Sequence, residues 1–298
     1  MLNIKDLQQN IKIAPYTTYK IGGPADYFVV VKTKADLINA IKEARENSIP
    51  FFILGTGANI LFGDKGFRGL VIKNEANNIK ISDNIVIAES GATIAELIEI
   101  TRQNNLSGFE HFVGIPSTVG GAIWQNLHFL SPDRSETVYI ESLIKSAEFM
   151  DISNNINSVD KKFLKFGYDT SILHSGDYVA TEVTFKLEKK DKDLIQKQVE
   201  ENLKWRNEKQ PHLEQFPSCG SVFKKIEGFG AGRLIDKAGL KGYKIGGAQI
   251  SEKHANFIVN LGNATALDVC NLIRLIQNKV FNSTGHNLEL EISFIGEF

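Results

Sequence analysis

Hydrophobic and polar positions along this chain switch repeatedly between two periods, and the switches outline its elements. After Pro24 the stretch ADYFVVVK is β-branched and aromatic, which predicts a strand. Thr33 then stands as an N-cap before KADLINAIKEARENS, whose apolar residues recur at helical spacing. FFILG reads as a buried strand and GLVIKN as another, so a β-α-β order defines a first region over residues 1–74. A second region, 75–210, opens with the alternating runs IKIS and NIVIAESG. It continues through the helical TIAELIEITRQNN, a glycine-dense passage GFEHFVGIPSTVGGAIWQN, and strand-like LIKSAEFMD and DYVATEVTFKLEK. Its last stretch, EKKDKDLIQKQVEENLKWRNEKQ, reads as a surface helix with Leu194, Ile195, Val199 and Leu203 on one stripe. The third region, 211–298, contains GAGRLIDKAGLKG, the strand-like HANFIVN, the amphipathic helix TALDVCNLIRLIQNKVF and a terminal strand LELEISFIG. The middle region is rich in strands and short of crossover helices. The pattern therefore predicts an α+β fold with mixed sheets, not one doubly wound sheet.

Composition narrows the function. With 34 basic against 35 acidic side chains, the chain has no field to hold a polyanion, so nucleic acid is excluded as the main partner and any bound phosphate belongs to a small molecule. The two cysteines, Cys219 and Cys270, make neither a disulfide framework nor a metal cluster, and no metal is expected. The N-terminus lacks the apolar core of a signal peptide, and no apolar run approaches the length of a membrane span. A cytoplasmic protein with no membrane partner is the expectation, and a monomer is its default state.

Two glycine loops carry the first chemical signal. Gly55-Thr56-Gly57-Ala58-Asn59-Ile60 follows a predicted strand, but no third glycine comes, so the dinucleotide fingerprint of a Rossmann fold fails, and no Gly-Lys-Ser or Gly-Lys-Thr makes a Walker loop. Taken alone, GTGAN is equally well a tight turn. The second loop is Gly114-Ile115-Pro116-Ser117-Thr118 continuing to Gly120-Gly121-Ala122. It offers Ser117 and Thr118 as helix N-caps and unpaired backbone N–H groups free of bulky side chains. Two such loops suit a diphosphate, although Gly120-Gly121 is also explained by close helix packing.

Taken together, YKIGGPADYF, LGTGANIL, DKGFRGLVI, GIPSTVGGA, CGSVFK, AGRLIDKAGLKGYKIGGAQISEKHANFIVNLGNATALDV and LELEISFIGE resemble, in this order and over nearly the whole chain, the UDP-N-acetylenolpyruvoylglucosamine reductases. The similarity is to the compact second type of that family. The resemblance implies an FAD-binding fold of two α+β subdomains, 1–74 and 75–210, followed by a C-terminal α+β substrate-binding domain, 211–298. It implies bound FAD, held at its pyrophosphate by the two glycine loops, with NADPH as a transient hydride donor and a UDP-sugar as substrate. The activity implied is reduction of an enolpyruvyl ether to a lactyl ether in peptidoglycan precursor synthesis.

That chemistry needs a proton for one carbon and stabilisation of the charge that develops on the substrate carboxylate. Ser221 in CGSVFK matches the family's catalytic serine, and Lys224 is a candidate to stabilise the alkoxide it leaves. Glu291 matches the family's terminal-strand glutamate. Alternation places Glu289 and Glu291 on one strand face, and only the resemblance selects Glu291. Lys224 and His254 match family positions near the sugar nucleotide. Cys219 is set aside as a nucleophile, because nothing nominates a histidine partner for it.

The chain also departs from the family pattern. Where the family carries Tyr-Arg-x-Ser, this chain reads FGYDTSIL: Tyr168 keeps its substrate-binding register, but Asp169 replaces an arginine that grips the substrate carboxylate. An acid cannot clamp a carboxylate. In place of a small-residue stretch after GGAIWQN stands LHFLSPDR, which brings His128 and Arg134 as candidates for the missing positive partner. Two alternatives remain open from sequence: an FAD oxidoreductase of the same scaffold with a different sugar acid or hydroxy acid, and a silent flavin or UDP-sugar binding protein.

Overall fold

The computed structural model describes residues 2–226 and 230–298. The chain forms two compact units, neither continuous in sequence: residues 1–7, 29–55 and 72–206 make the first, and 8–28, 56–71 and 207–298 the second. Residues 8–28 and 56–71, which lie in the first region by sequence pattern, thus group with the C-terminal third.

In the first unit, helix α1 (Lys34–Glu46) begins where Thr33 accepts the Asp36 N–H, and it buries Leu37, Ala40, Ile41 and Ala44. The spacing i, i+3, i+4, i+7 makes that face a single stripe. The unit's largest sheet has five antiparallel strands in the order Ile156–Asp160, Ile144–Asp151, Tyr178–Lys186, Ile85–Glu89, Ile79–Ser82. Helices α2 (Ile94–Gln103) and α3 (Val119–Gln125) bury their apolar residues in the same core as the sheet, where Phe109 meets Phe185 edge-on at 5.0 Å. A capping box between Thr93 and Glu96 starts α2. Helix α4 (Lys192–Lys209) forms over the charged stretch, but Leu194 and Leu203 are exposed. Its inward face runs through Ile195, Val199 and Asn202, at i, i+4 and i+7. Asn202 is fully buried because it donates to the Glu110 carbonyl and accepts from Arg134, which makes a polar residue part of the packed face.

In the second unit, α5 (Ala231–Lys237) and α6 (Ala266–Thr284) pack with a three-stranded antiparallel sheet, Lys244–Ile245, Ala248–Ile250 and Ile258–Asn260. Asp64 reaches the first turn of α6 and accepts the Ala266 and Leu267 N–H groups at 2.9 and 3.1 Å, adding to the Thr265–Asp268 capping box. Gln8–Lys12 pairs antiparallel with the start of the strand at Pro24, and Ile60–Phe62 pairs in parallel with Ser293–Ile295. The terminal strand is shorter than its alternation predicts. Leu290 makes only an isolated bridge to Phe223, and regular pairing resumes at Ser293.

Candidate active site

The loop GIPSTVGGA lies wholly in the first unit. Thr118 is the N-cap of α3, accepting the Gly121 N–H at 3.3 Å. The expectation of open amides throughout this loop needs correction. The Val119 and Gly120 N–H groups already donate to the Ala92 and Ser90 carbonyls, both at 2.8 Å, because the segment 90–93 runs alongside. The amides of Ser117 and Thr118 donate to no group among the described residues. Gly55 closes against this loop: a Cβ there would lie 2.6 Å from Thr118 Oγ1. In the second unit, Gly57 takes φ +72° and packs so tightly on the backbone of Tyr16 that a Cβ would lie 2.3 Å from its carbonyl oxygen. Its own carbonyl accepts from the backbone and hydroxyl of Thr18, and the amides of Gly57 and Ala58 are likewise without an acceptor among the described residues. In each unit, donors with no acceptor among the described residues stand beside positions with no space for a side chain, a local arrangement that fits a phosphate group.

Around Ser221 the second unit assembles four distant segments. Ser221 bridges Phe257, the Val222 N–H donates to the Asn256 carbonyl, and Glu291 N–H donates to the Val222 carbonyl at 2.9 Å. The Ser221 hydroxyl is half-buried and makes no hydrogen bond among the described residues. Asn59, at the end of the GTGAN loop, holds the same strand segment, donating from Nδ2 to the Glu291 carbonyl and accepting the Ser293 N–H at its own carbonyl. Glu291 is half-buried, whereas the Glu289 side chain is 79% exposed and stands 3.9 Å from Lys224 Nζ. Two glutamates on one face of the segment thus differ in burial, Glu291 half-buried and Glu289 exposed.

His254 Nδ1 accepts the Asn256 N–H, so its proton sits on Nε2. Burial, and then the charge of Lys241, push the imidazole below its ordinary range, and it serves as a neutral donor. Cys219 is buried, and that burial raises its thiol far above the reactive range, as expected of a structural cysteine. Asn256 was not singled out by the sequence pattern, although it lies inside HANFIVN. Its side chain copies a strand neighbour, accepting the buried Phe223 N–H at 3.0 Å and donating to the Phe223 carbonyl at 2.8 Å. Asn256→Ala leaves both groups unpaired and is expected to cost about 2–4 kcal/mol of stability by chemical denaturation, together with a loss of turnover, since it frees the segment that carries Ser221.

In the first unit, Tyr168 is 36% exposed and Asp169 is buried in a left-handed conformation, φ +54°. Asp169 Oδ1 accepts from Gln125 Nε2 at 3.2 Å and lies 3.7 Å from His128 Nδ1, while its Oδ2 has no partner. The His128 ring stands 5.2 Å from Tyr139 and 5.1 Å from Tyr168, and its Nδ1 lies 3.2 Å from the Asn126 carbonyl. Arg134 is placed differently. Its Nη2 donates to Asn202 at 2.9 Å, and its guanidinium lies over Trp205 at 4.9 Å.

Residues 25–153 match the FAD binding domain family, and residues 210–295 match the C-terminal domain of UDP-N-acetylenolpyruvoylglucosamine reductase. Fold and site together define an FAD-dependent oxidoreductase. The UDP-N-acetylenolpyruvoylglucosamine reductases of Caldanaerobacter subterraneus subsp. tengcongensis and Clostridium botulinum (strain Alaska E43) are each 41% identical to it over 292 residues. These alignments cover 98% of this chain and 94% and 93% of theirs. The crystal structure of the Thermus caldophilus enzyme matches with a TM-score of 0.80 at 32% identity, covering 96% of this chain and 97% of that one. The chain belongs to the UDP-N-acetylenolpyruvoylglucosamine reductase family.

Proposed function

We propose that this protein catalyses the NADPH-driven reduction of UDP-N-acetylglucosamine enolpyruvate to UDP-N-acetylmuramate in peptidoglycan precursor synthesis. The observation that carries this reading is 41% identity over 98% of the chain with Ser221 and Glu291 held by one framework. Bound FAD supplies the hydride that the terminal vinyl carbon takes up. The residues of the chain do the rest. Ser221 Oγ delivers a proton to the carbon bearing the carboxylate. Glu291, as the carboxylic acid, hydrogen-bonds the substrate carboxylate as charge builds there. Lys224 serves the diphosphate, with His254 and the Tyr168 hydroxyl as neutral contacts to the UDP-sugar. In this reading residues 1–74 and 75–210 serve the flavin and 211–298 the substrate. The protein acts in the cytoplasm as a monomer, which its two free, buried cysteines suit. Anaerobic reduction with NADPH, followed by addition of UDP-N-acetylglucosamine enolpyruvate, tests the reading: rapid return of the oxidised flavin spectrum is expected. A flavin that is reduced but stays so would favour another sugar acid, the reading that buried Asp169 supports.

The partner we assign to the substrate carboxylate is His128, which stands beside Asp169, because the Arg134 fork is spent on Asn202 and Trp205. His128→Gln is expected to raise KM for the UDP-sugar about 10-fold, and Arg134→Ala to lower Tm while leaving KM near its original value. The reverse pattern in steady-state kinetics would assign the role to Arg134.

A further inference from the structure

Lys73 sits one residue before the end of the strand Phe67–Asn74, and its ammonium donates to the Gly55 carbonyl at 2.6 Å. This leaves the cation in an unusual position. It is half-buried, and burial pushes it below the ordinary lysine range, with only the more distant charge of Glu75 acting in the other direction. Among the described residues no carboxylate stands within 4 Å of its nitrogen. Lys34, in the same unit, shows the usual arrangement: carboxylates of Glu148 and Glu182 lie at 3.2 and 3.1 Å. A desolvated ammonium with one neutral acceptor is a net cost until an anion completes it.

The surroundings of Lys73 say what that anion is. The carbonyl it holds belongs to Gly55, whose Cα packs on Thr118, and the Ser117 and Thr118 amides donate to no group among the described residues. A cation and two open N–H donors are thus tied together through the Gly55–Thr118 contact, inside the first unit. A dianionic diphosphate answers both features at once. We propose that Lys73 is a cofactor-binding residue, the counter-charge to the diphosphate of FAD, held in place by the Gly55 carbonyl. The inference rests on the flavin-binding reading above. It adds an electrostatic contact to a site that the glycine loops alone would make with backbone amides.

The test is FAD titration of the flavin-stripped full chain by fluorescence, at low and high salt, with melting temperatures taken with and without FAD. Lys73→Met is expected to weaken FAD binding about 10- to 100-fold, and Lys73→Arg to stay much closer to wild type. Wild-type affinity is expected to fall as salt rises, and that of Lys73→Met to fall less. Without FAD, Lys73→Met should melt no lower than wild type, because an uncompensated charge is gone; its stabilisation by FAD should shrink. Unchanged FAD affinity with a lower flavin-free Tm would overturn the proposal and leave Lys73 as a strut for the Gly55 turn. If Lys73→Met does not fold, a wild-type affinity indifferent to salt overturns it equally. A wild-type chain that binds no FAD would remove the flavin reading itself, and this inference with it.

Discussion

Ser221→Ala is expected to lower turnover of UDP-N-acetylglucosamine enolpyruvate by about 10²- to 10⁴-fold, the range lost with a positioned proton donor, while NADPH still reduces the flavin at the wild-type rate. The two half-reactions separate because the serine is asked only for the second. Its backbone is fixed from both sides, by the bridge to Phe257 and by the neighbouring Val222, which donates to Asn256 and accepts from Glu291. Its hydroxyl bonds no group among the described residues, so truncation leaves no partner stranded and stability should move by less than about 0.5 kcal/mol. Stopped-flow absorbance, following flavin reduction and then reoxidation by substrate, reads each step. If reoxidation in Ser221→Ala keeps its wild-type rate, the proton comes from another group.

Glu291→Gln is expected to slow the same step by about 10²- to 10³-fold, comparable with loss of one preorganised donor to a developing oxyanion. The amide keeps the shape and the backbone bonds to Val222 and Asn59, so the change isolates the carboxyl proton. Glu289→Gln is the matched control, two residues away on an exposed side chain. Equal effects in the two variants would mean that charge near Lys224, not the acid at 291, governs the step. A normal rate of flavin reduction in Glu291→Gln, measured in the same instrument, would confine the defect to the sugar half-reaction.

Ser221, Glu291 and both glycine loops are nominated by short stretches that resemble the family's, each legible locally in the sequence. Alternation makes Glu289 and Glu291 equivalent; the resemblance selects Glu291, and the fold leaves it half-buried while Glu289 is exposed. Arg134 and His128 were also equal candidates, since both are basic residues of one inserted stretch. In the fold Arg134 donates to buried Asn202 of α4, and Asp169 stands 3.7 Å from the histidine. Lys73 and Asn256 gave little signal, because a lysine in a strand and an asparagine in a loop are ordinary until their partners are known.

The sequence by itself determined α1, α2 and α6, because each carries an apolar stripe at helical spacing and a threonine cap within three residues of the group it bonds. It also determined the turn at Gly57, since a glycine at φ +72° is a local demand. Only the tertiary structure decided that segments around 59, 221, 256 and 291 share one framework, that residues 8–28 and 56–71 fold with the C-terminal third, and that the Lys73 ammonium donates to the Gly55 carbonyl. The reason is physical. A helix closes its hydrogen bonds four residues away, so its sequence contains its partners. A strand edge, a buried amide or a half-buried ammonium takes whatever group the fold brings to it, tens or hundreds of residues along the chain.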